Sequence, residues 1–452
     1  MVTLEPRWRM TPRAGRWIGV LLVSLLVRAL PLAAESFSGL SDDAFLDRLE
    51  RKAFDYFWLE ANPKNGLVRD RSTTNSKASI AAVGFGLSAI SIGIERGWIT
   101  REVGRERVLT TLRTFAGGRQ GAAPEGVIGT HGWFYHFLEM DTATRAWKCE
   151  LSSIDTALLL AGVLDAQGFF NGLQPDEQFI RELADTIVRR VDWAWMANGG
   201  ETLSMGWHPE KGFIERRWVG YNEGMILYLL ALGAVESPKP EVQGLKPVVS
   251  WEAWTRGYRW RTQEGQSYVE FPPLFGHQYS HCWVDFRHIA DAFMGEHGLT
   301  YFENSRRATL AQRAYCIANP GKFPNYGPLE WGLTACDGPK GYSARGAPPA
   351  ENDDGTLAPT AAGGSLPFAP EVCLPTLRRM AVEYGDRLWG RYGFRDAYNV
   401  QQNWFATDTL GIDQGPILLM AENYRTGSVW RRMMRNPILR RGLQQAGFTA
   451  VK

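Results

Sequence analysis

The 452-residue chain has only five cysteines, Cys149, Cys282, Cys316, Cys336 and Cys373, and no Cys-x-x-Cys pair. A structural zinc site is therefore not expected, and the sequence leaves open one or two disulfides or buried free thiols. The chain also has no phosphate-binding glycine-rich loop and no Gly-x-Ser-x-Gly elbow. Its net charge is only +2, which does not indicate a nucleic-acid partner.

Long apolar runs are also missing. The longest near the N-terminus, residues 17–27, has eleven residues, too few for a membrane span. It follows four arginines and precedes Leu32-Ala33-Ala34, a small-residue cleavage site, although Arg28 interrupts the pattern. We interpret residues 1–34 as a signal peptide of a bacterial protein that is periplasmic or secreted; the alternative is an uncleaved anchor. We expect no stable membrane insertion after cleavage, and a monomer.

Helices of two kinds alternate through the first half of the chain. Residues 41–61, 100–116 and 176–195 have a charged face, whereas residues 77–97, 151–170 and 225–232 are apolar nearly all round. A helix that is apolar on every side is buried. This alternation predicts an all-α fold, an (α/α)6 barrel with outer and inner helices. Residues 37–452 are expected to form one domain, with long loops forming a cleft at one end.

The second half is less regular. Helices are predicted near residues 281–296, 304–318, 371–384 and 416–424, with Pro416 at the first helical position. Residues 345–370 contain five prolines and four glycines, which predicts a long loop.

Carboxylates accompanied by aromatic residues lie at the mouths of three predicted helices, those at residues 151–170, 225–232 and 416–424. The first group precedes residues 151–170 and comprises Trp133, Tyr135, His136, Glu139, Asp141, Glu150 and Asp155. The second is Trp218, Tyr221, Asn222 and Glu223, and the third contains Asp408 and Asp413. Sugar rings stack on aromatic faces, and glycosidic bond cleavage needs positioned carboxyl groups. Helix capping explains any one acid, but the three groups together indicate a carbohydrate-active cleft.

Glu223 is the leading acid. Asn222 is predicted to cap the helix, which places Glu223 in its first turn. Burial among aromatic rings raises a carboxyl pKa, while a helix N-terminus lowers it, and the sequence does not decide which effect is larger.

His277 and His281 have the i, i+4 spacing of two metal ligands on a helix, but the glutamate of a zincin motif is missing. We therefore expect no metal and no cofactor, and prefer a role in hydrogen bonding to substrate.

Seven segments together resemble the glycoamylase-like family: WKCELSSIDTALLLAG (147–162), MGWHPEKGF (205–213), YNEGM (221–225), PLFGHQYSH (273–281), YFENSRRATLAQRAY (301–315), WGLTACDGPKGY (331–342) and GIDQGP (411–416). This family includes the β-1,2-glucanases of glycoside hydrolase family 144 and the related transglycosylase domain of cyclic β-1,2-glucan synthases. The resemblance covers nearly all of residues 37–450. It implies an (α/α)6 barrel that acts on β-1,2-glucan without a cofactor.

The resemblance also implies roles. Glu223 matches the general acid, and Asp413 is the candidate base, acting directly or through water or a substrate hydroxyl. Inversion is expected of the hydrolases. Glu139 stands where relatives often carry Asp, and Glu139, Asp141, Glu150, Asp155 and Asp408 are possible catalytic or supporting residues. The candidate substrate-binding residues are Trp133, Tyr135, His136, Trp207, Trp218, Tyr221, Asn222, His277, Gln278, His281, Asn304, Arg306, Arg307, Trp331, Asp337, Tyr342 and Tyr424.

For each aromatic residue, core packing is an equally good interpretation. The leading hypothesis is thus a hydrolase that cleaves β-1,2-glucan to short sophoro-oligosaccharides. Two alternatives are a retaining transglycosylase or hydrolase of another β-glucan, and a non-catalytic periplasmic glucan-binding protein.

Overall fold

The computed structural model describes residues 37, 39–234, 249–350 and 352–451. The chain divides into two compact units, Met1–Glu35 and Ser36–Lys452. The first unit, with the predicted signal peptide 1–34, lies outside the described residues. Helices dominate the second unit: α1 Asp42–Leu59, α2 Ile80–Glu95, α3 Arg101–Gly117, α4 Ser153–Phe169, α5 Pro175–Arg189, α6 Trp193–Ala197, α7 Met225–Ala234, α8 Trp251–Thr255, α9 Ala292–Glu296, α10 Tyr301–Ala318, α11 Pro359–Gly363, α12 Pro370–Tyr384, α13 Gly411–Arg425, α14 Ser428–Met433 and α15 Pro437–Gln445.

Four helices, α2, α4, α7 and α13, are buried almost throughout. Helix α2 packs against α4 and α13, and α4 packs against α7. The backbones of α2 and α4 are in close contact where the two helices cross. A Cβ atom added to Gly162 would overlap the carbonyl oxygen of Gly84, so the crossing requires glycine at this position. The amphipathic helices cover this inner group: α1 packs on α2 and α13, and α5 packs on α3 and α4. The alternation of charged and apolar helices in the sequence therefore corresponds to outer and inner positions.

Short antiparallel strands connect the helices. They pair as Ala78–Ser79 with Phe137–Leu138, Gly129–Thr130 with Trp133–Phe134, Trp260–Gln263 with Gln266–Val269, Ile289–Ala290 with Thr449–Ala450, Ala335–Cys336 with Ser343–Ala344, Trp389–Gly390 with Gly393–Phe394 and Tyr398–Asn399 with Trp404–Phe405, while Leu151–Ser152, Gly206–His208 and Gly212–Phe213 form a three-stranded sheet. The pairing of Ala78–Ser79 with Phe137–Leu138 joins the loop before α2 to the loop before α4. The pairing of Leu151–Ser152 with Gly206–His208 joins the loop before α4 to the loop before α7.

Several sequence predictions of helix extent were wrong. Residues 176–195 are two helices, because the side chain of Asp192 accepts a hydrogen bond from the Trp195 N–H and starts α6. Residues 281–296 are not one helix: they contain the end of the 3₁₀ turn Ser280–Cys282, the strand Ile289–Ala290 and α9. The carboxylates of Asp285 and Asp291 accept hydrogen bonds from nearby backbone N–H groups and compete with a continuous helix.

Two further predictions change in the second half. Helix α13 begins at Gly411, so Pro416 lies inside it and removes one backbone hydrogen bond instead of starting the helix. The segment 345–370 is not a loop throughout, because it contains α11, which packs against α13. Two other 3₁₀ turns cover Leu274–His277 and Gly385–Arg387.

All five cysteines lie in the described part of the chain and are free thiols. Among the described helices, none has the length and apolar character that a bilayer crossing requires.

Candidate active site

A cavity of about 440 Å³ lies where the N-terminal ends of the four inner helices meet. The residues that line it come from the segments before or at the start of α2, α4, α7 and α13 and from the segments around residues 275–279 and 335–344: Asp70, Arg71, Ser79, His136, Phe137, Ile154, Asp155, Leu158, Glu223, Phe275, Tyr279, Ala335, Tyr342, Ala344, Leu410 and Ile412. The expectation that the loops before the inner helices line one cleft is confirmed.

A second cavity, of about 640 Å³, lies at the C-terminal end of α4. It is larger, but its lining contains four arginines and, among the described residues, only one carboxylate, Asp185. Since paired carboxylates are the requirement for glycosidic chemistry, the smaller cavity is the candidate site.

Glu223 lies in the turn just before α7 rather than in its first helical turn. The Asn222 side chain accepts a hydrogen bond from the Gly224 N–H (2.8 Å) and so holds this turn instead of capping a longer helix. Behind it, the Ser280 hydroxyl donates to the Glu223 carbonyl (3.2 Å) and accepts from the Ile226 N–H (3.0 Å). These bonds fix the backbone of Glu223 while its side chain faces the cavity.

The Glu223 carboxyl has one buried oxygen, Oε2, without a hydrogen-bond partner among the described residues. Burial, the largest cause, and the charge of Asp155 together raise the pKa of this carboxyl to about 7, although a backbone N–H lowers it. Burial therefore outweighs the helix N-terminus. A carboxyl group with this pKa is suited to donating a proton near neutral pH.

Asp155, His136 and Glu150 form a chain of polar contacts beside Glu223. Asp155 is buried, and its Oδ2 accepts a hydrogen bond from the Ser152 hydroxyl (2.5 Å), the cap of α4. Imidazole Nε2 of His136 lies 3.6 Å from Asp155 Oδ2, and Nδ1 lies 2.8 Å from Glu150 Oε1. Burial lowers the pKa of His136, but the charge of Asp155 and the hydrogen bond to Glu150 raise it to about 9. The imidazole is thus a cation between two carboxylates.

Arg71 lines the cavity and contacts three further acids, of which only Asp70 also lines it. Its guanidinium lies 3.0 Å from Asp337, 3.4 Å from Asp70 and 3.6 Å from Asp408. Asp408 also accepts a hydrogen bond from the Thr73 hydroxyl (2.7 Å). Asp337 and Asp408, both predicted from the sequence, are therefore engaged with Arg71.

Asp413 lies in the first turn of α13 and is buried against a second carboxyl, that of Asp396. Burial, followed by the charge of Asp396, raises the pKa of Asp413 well above its ordinary range. Tyr279 also lines the cavity, and the pKa of its hydroxyl is raised first by burial and then by the charges of Asp413 and Glu223, among others. Tyr279 is thus within electrostatic reach of both predicted catalytic acids.

The aromatic residues at the cavity are mostly not those predicted to bind sugar. Phe137, Phe275, Tyr279 and Tyr342 line it, and the Phe137 ring stacks on His136 at 3.9 Å between centroids. Tyr342 is 54% exposed and is the one predicted aromatic residue in the lining. The other predicted aromatic residues lie elsewhere: Trp133, Tyr135, Trp218, Tyr221 and Trp331 are buried in the core, and Trp207 packs on Trp195.

Local contacts explain these core positions. The indole of Trp133 donates to the Asp192 carbonyl (2.9 Å), and that of Trp218 donates to the Ser153 hydroxyl (2.8 Å). Tyr221 stacks on Tyr301 with 5.9 Å between ring centroids. Rings of this size stabilise cores as readily as they bind sugars, so the core interpretation applies to them.

Several predicted polar ligands are also buried behind the site. His277 bonds the Phe271 carbonyl (3.1 Å), and His281 lies 3.2 Å from the Ser305 hydroxyl. Burial lowers the pKa of both imidazoles to about 3, so they are neutral. Gln278 donates to the Ala361 carbonyl (2.8 Å), and Asn304 bonds the backbone of Val269. These four side chains support the loops rather than line the cavity.

The remaining predicted residues are absent from the lining of the cavity. Arg306 and Arg307 pair with Glu371 and Glu303. Glu139 pairs with Lys77 (2.7 Å), and Asp141 is exposed. Tyr424 lies in the last turn of α13, whereas Asp413 lies in the first. The two residues are eleven positions apart along the helix, a rise of roughly 16 Å.

Residues 215–437 match the glycoamylase family, described as "Putative glucoamylase". A crystal structure of a "putative glucoamylase" from Bacteroides uniformis is 35% identical, with a TM-score of 0.81, over 91% of this chain and 98% of that one. The chain belongs to the glycoamylase family.

Two other relatives of the chain have more specific descriptions. An endo-β-1,2-glucanase from Chitinophaga pinensis is 29% identical, with a TM-score of 0.81, over 91% of this chain and 99% of that one. An exo β-1,2-glucooligosaccharide sophorohydrolase from Parabacteroides distasonis is 33% identical over 436 residues, 90% of this chain. The chain spans 58% of the length of that curated relative.

Several residues at or next to the cavity were not predicted from the sequence. Asp70, Arg71 and Ser79 precede α2, which is also an inner helix. Their position before an apolar helix is the same signal that identified Glu223 in the sequence. Tyr279 lies in the segment PLFGHQYSH without an assigned role, and Asp396 follows a short hairpin, where no local pattern marks it.

Proposed function

We propose that this glycoamylase family member is a glycoside hydrolase that cleaves β-1,2-glucan to short sophoro-oligosaccharides. The observation that carries the proposal is the Glu223 carboxyl, which faces a cavity among other acids with a pKa of about 7. The substrate class is supported by the descriptions of the relatives from Chitinophaga pinensis and Parabacteroides distasonis.

In the proposed reaction, Glu223 donates its proton to the glycosidic oxygen as the bond from that oxygen to the anomeric carbon breaks. Water attacks the anomeric carbon, and its proton passes to the base side, to which we assign Asp413. Hydrolysis then inverts the anomeric configuration. Asp155, His136 and Arg71 surround the bound sugar, and Phe137, Phe275, Tyr279 and Tyr342 supply its apolar contacts.

We propose that residues 37–452 form one domain, an (α/α)6 barrel. The contacts of α2 with α13 and α4, and of α4 with α7, support a ring of inner helices, and the amphipathic helices cover it. The shared N-terminal ends of these helices account for the position of the cavity.

We also propose that residues 1–34 are a cleaved signal peptide and that the protein works in the periplasm or outside the cell. N-terminal sequencing of the protein from the periplasmic fraction tests this, and a retained leader contradicts it.

The experiment for activity is incubation of the purified protein with linear β-1,2-glucan, with product analysis and anomer detection by NMR. We expect short sophoro-oligosaccharides with the inverted α-configuration at the new reducing end. Glu223→Gln should reduce the rate by about 10²–10⁴-fold, the range of a lost general acid. The matched control is Glu264→Gln, which removes a carboxyl from a turn outside the cavity lining.

The alternatives give other results. Retained β-anomers or longer transfer products indicate a retaining transglycosylase, release from a different β-glucan changes the substrate, and no release from any β-glucan leaves a glucan-binding protein.

A further inference from the structure

Asp396 is buried beside Asp413. Its Oδ2 accepts a hydrogen bond from the backbone N–H of Asp337 (2.7 Å). Its other oxygen, Oδ1, and Oδ2 of Asp413 are both buried without a protein donor among the described residues. The side chains of Asp396 and Asp413 are within hydrogen-bonding contact of each other. Two carboxyl groups in such contact need a proton between them, because each ionised group only accepts.

The groups around the two carboxyls favour a proton on Asp413 over a proton on Asp396. Burial raises the pKa of Asp396 to about 6, although the contact with Asp413, the hydrogen bond from the Asp337 N–H and the positive charge of Arg71 all lower it. Burial and the charge of Asp396 raise the pKa of Asp413 well above its ordinary range. The ligand-free pair thus has an ionised Asp396 and a protonated Asp413, a coupled pair with one negative charge.

This arrangement bears on the base side of the proposed reaction. A protonated Asp413 alone cannot accept a proton from water. A pair with a single proton can, because its second carboxyl, Asp396, is ionised and is able to receive the shared proton.

We propose that Asp396 and Asp413 share one proton and act together as the base side, with Asp396 as the positioning residue. This inference rests on the proposed hydrolytic function. As water attacks, the shared proton moves from Asp413 to Asp396, and Asp413 takes the proton that water releases. The pair ends with two protons and no charge, and Glu223, having given its proton to the leaving oxygen, ends ionised. Proton and charge therefore balance.

The decisive measurement needs no substrate. Protein labelled with ¹³C at the aspartate side-chain carboxyl is examined by infrared spectroscopy at about pH 8, where ordinary aspartates, with pKa values of about 3.9, are ionised. We expect a protonated-carboxyl band in the wild type that disappears in both Asp396→Asn and Asp413→Asn. The control Asp386→Asn, at an exposed position in a 3₁₀ turn, should keep it.

Two outcomes overturn the inference. A wild type without the band shows no shared proton, and a band that persists in Asp396→Asn shows that burial alone holds the proton on Asp413. The wild-type spectrum is informative even if a variant fails to fold. It is also independent of the proposed function, which fails separately if no β-glucan is cleaved.

Kinetics supply the second test. Asp396→Asn should lower kcat by about 10²-fold or more with KM changed less than about threefold, since its effect is on proton transfer. The double variant Asp396→Asn/Asp413→Asn should be no slower than the slower single variant, because residues that act as a unit are not additive. An Asp396→Asn enzyme with kcat within about twofold of the wild type contradicts the proposal.

Discussion

The negative charge of Asp155 raises the pKa of Glu223, so an acid in the first turn of one inner helix affects the acid that precedes another. Burial is the larger cause, and it acts in the same direction. The functional consequence is a carboxyl that keeps its proton to about pH 7, well above the ordinary pKa of a glutamate, about 4.3.

The wild-type pH profile follows from these groups. A general acid must be protonated, so kcat/KM should fall as pH rises through about 7, the pKa of Glu223. A base must be ionised, so kcat/KM should fall as pH drops through about 6, the pKa of Asp396. Initial rates on β-1,2-glucan between pH 4 and pH 9 test this narrow bell; full activity at pH 9 would contradict the role of Glu223.

Asp155→Asn should move the alkaline limb of that profile to lower pH. Removing the negative charge removes one of the causes that raise the pKa of Glu223, so the proton is lost earlier. The limb is located from the same rate measurements, whatever the maximal rate. The control Asp185→Asn, at the cavity at the other end of α4, should leave the limb unchanged. An alkaline limb that stays in place in Asp155→Asn would show that the charge does not act on Glu223.

Glu150→Gln tests the cationic state of His136. The folded-state pKa of His136 is about 9, above the ordinary 6.5, so its interactions stabilise the fold fully below about pH 6.5 and are lost as pH rises through about 9. The Tm difference between wild type and variant should therefore be larger at pH 6 than at pH 9.5. Thermal unfolding at several pH values measures it, and a constant difference would mean that His136 is neutral throughout.

Gly162→Ala should destabilise the protein by about 1–3 kcal/mol or more, because the added methyl would overlap the Gly84 backbone at the α2–α4 crossing. Gly168→Ala, in the same helix, has open space around the new methyl and should be stabilising by roughly 0.5–1 kcal/mol through helix propensity. Denaturant unfolding of both variants compares them. Equal stabilities would show that the two helices do not cross this closely.

Tyr342→Ala should raise KM by roughly two- to tenfold, since an aromatic contact is worth about 0.5–1.5 kcal/mol and Tyr342 lines the cavity. Tyr424 lies at the end of α13 that is remote from the cavity, so Tyr424→Ala should leave KM unchanged. The sequence predicted both tyrosines, Tyr342 and Tyr424, as sugar contacts. Steady-state kinetics on β-1,2-glucan distinguish them, and the opposite ranking would place the sugar elsewhere.

The fold was largely accessible from the sequence because burial on all sides is a local pattern. The runs that became α2, α4 and α7 are apolar at nearly every position, and that pattern marks them as inner helices without any knowledge of their partners. Helix ends were less accessible, since side-chain caps such as Asp192 and Asp291 interrupt runs that appear continuous.

The candidate site was only partly accessible. Glu223 and Asp155 were identified because each lies at the mouth of an apolar helix, which is visible in sequence. The roles of aromatic residues were not, because Trp133 in the core and Tyr342 at the cavity have the same kind of sequence neighbourhood.

The sequence by itself determined which helices are buried, that acids stand at their N-terminal ends and that the chain resembles the glycoamylase-like family. Only the tertiary structure decided that Arg71 meets Asp337, 266 residues away, and that Asp396 faces Asp413. The reason is physical: helical periodicity is set by neighbours along the chain, whereas the pKa of a carboxyl is set by the charges and burial that folding brings to it from distant segments.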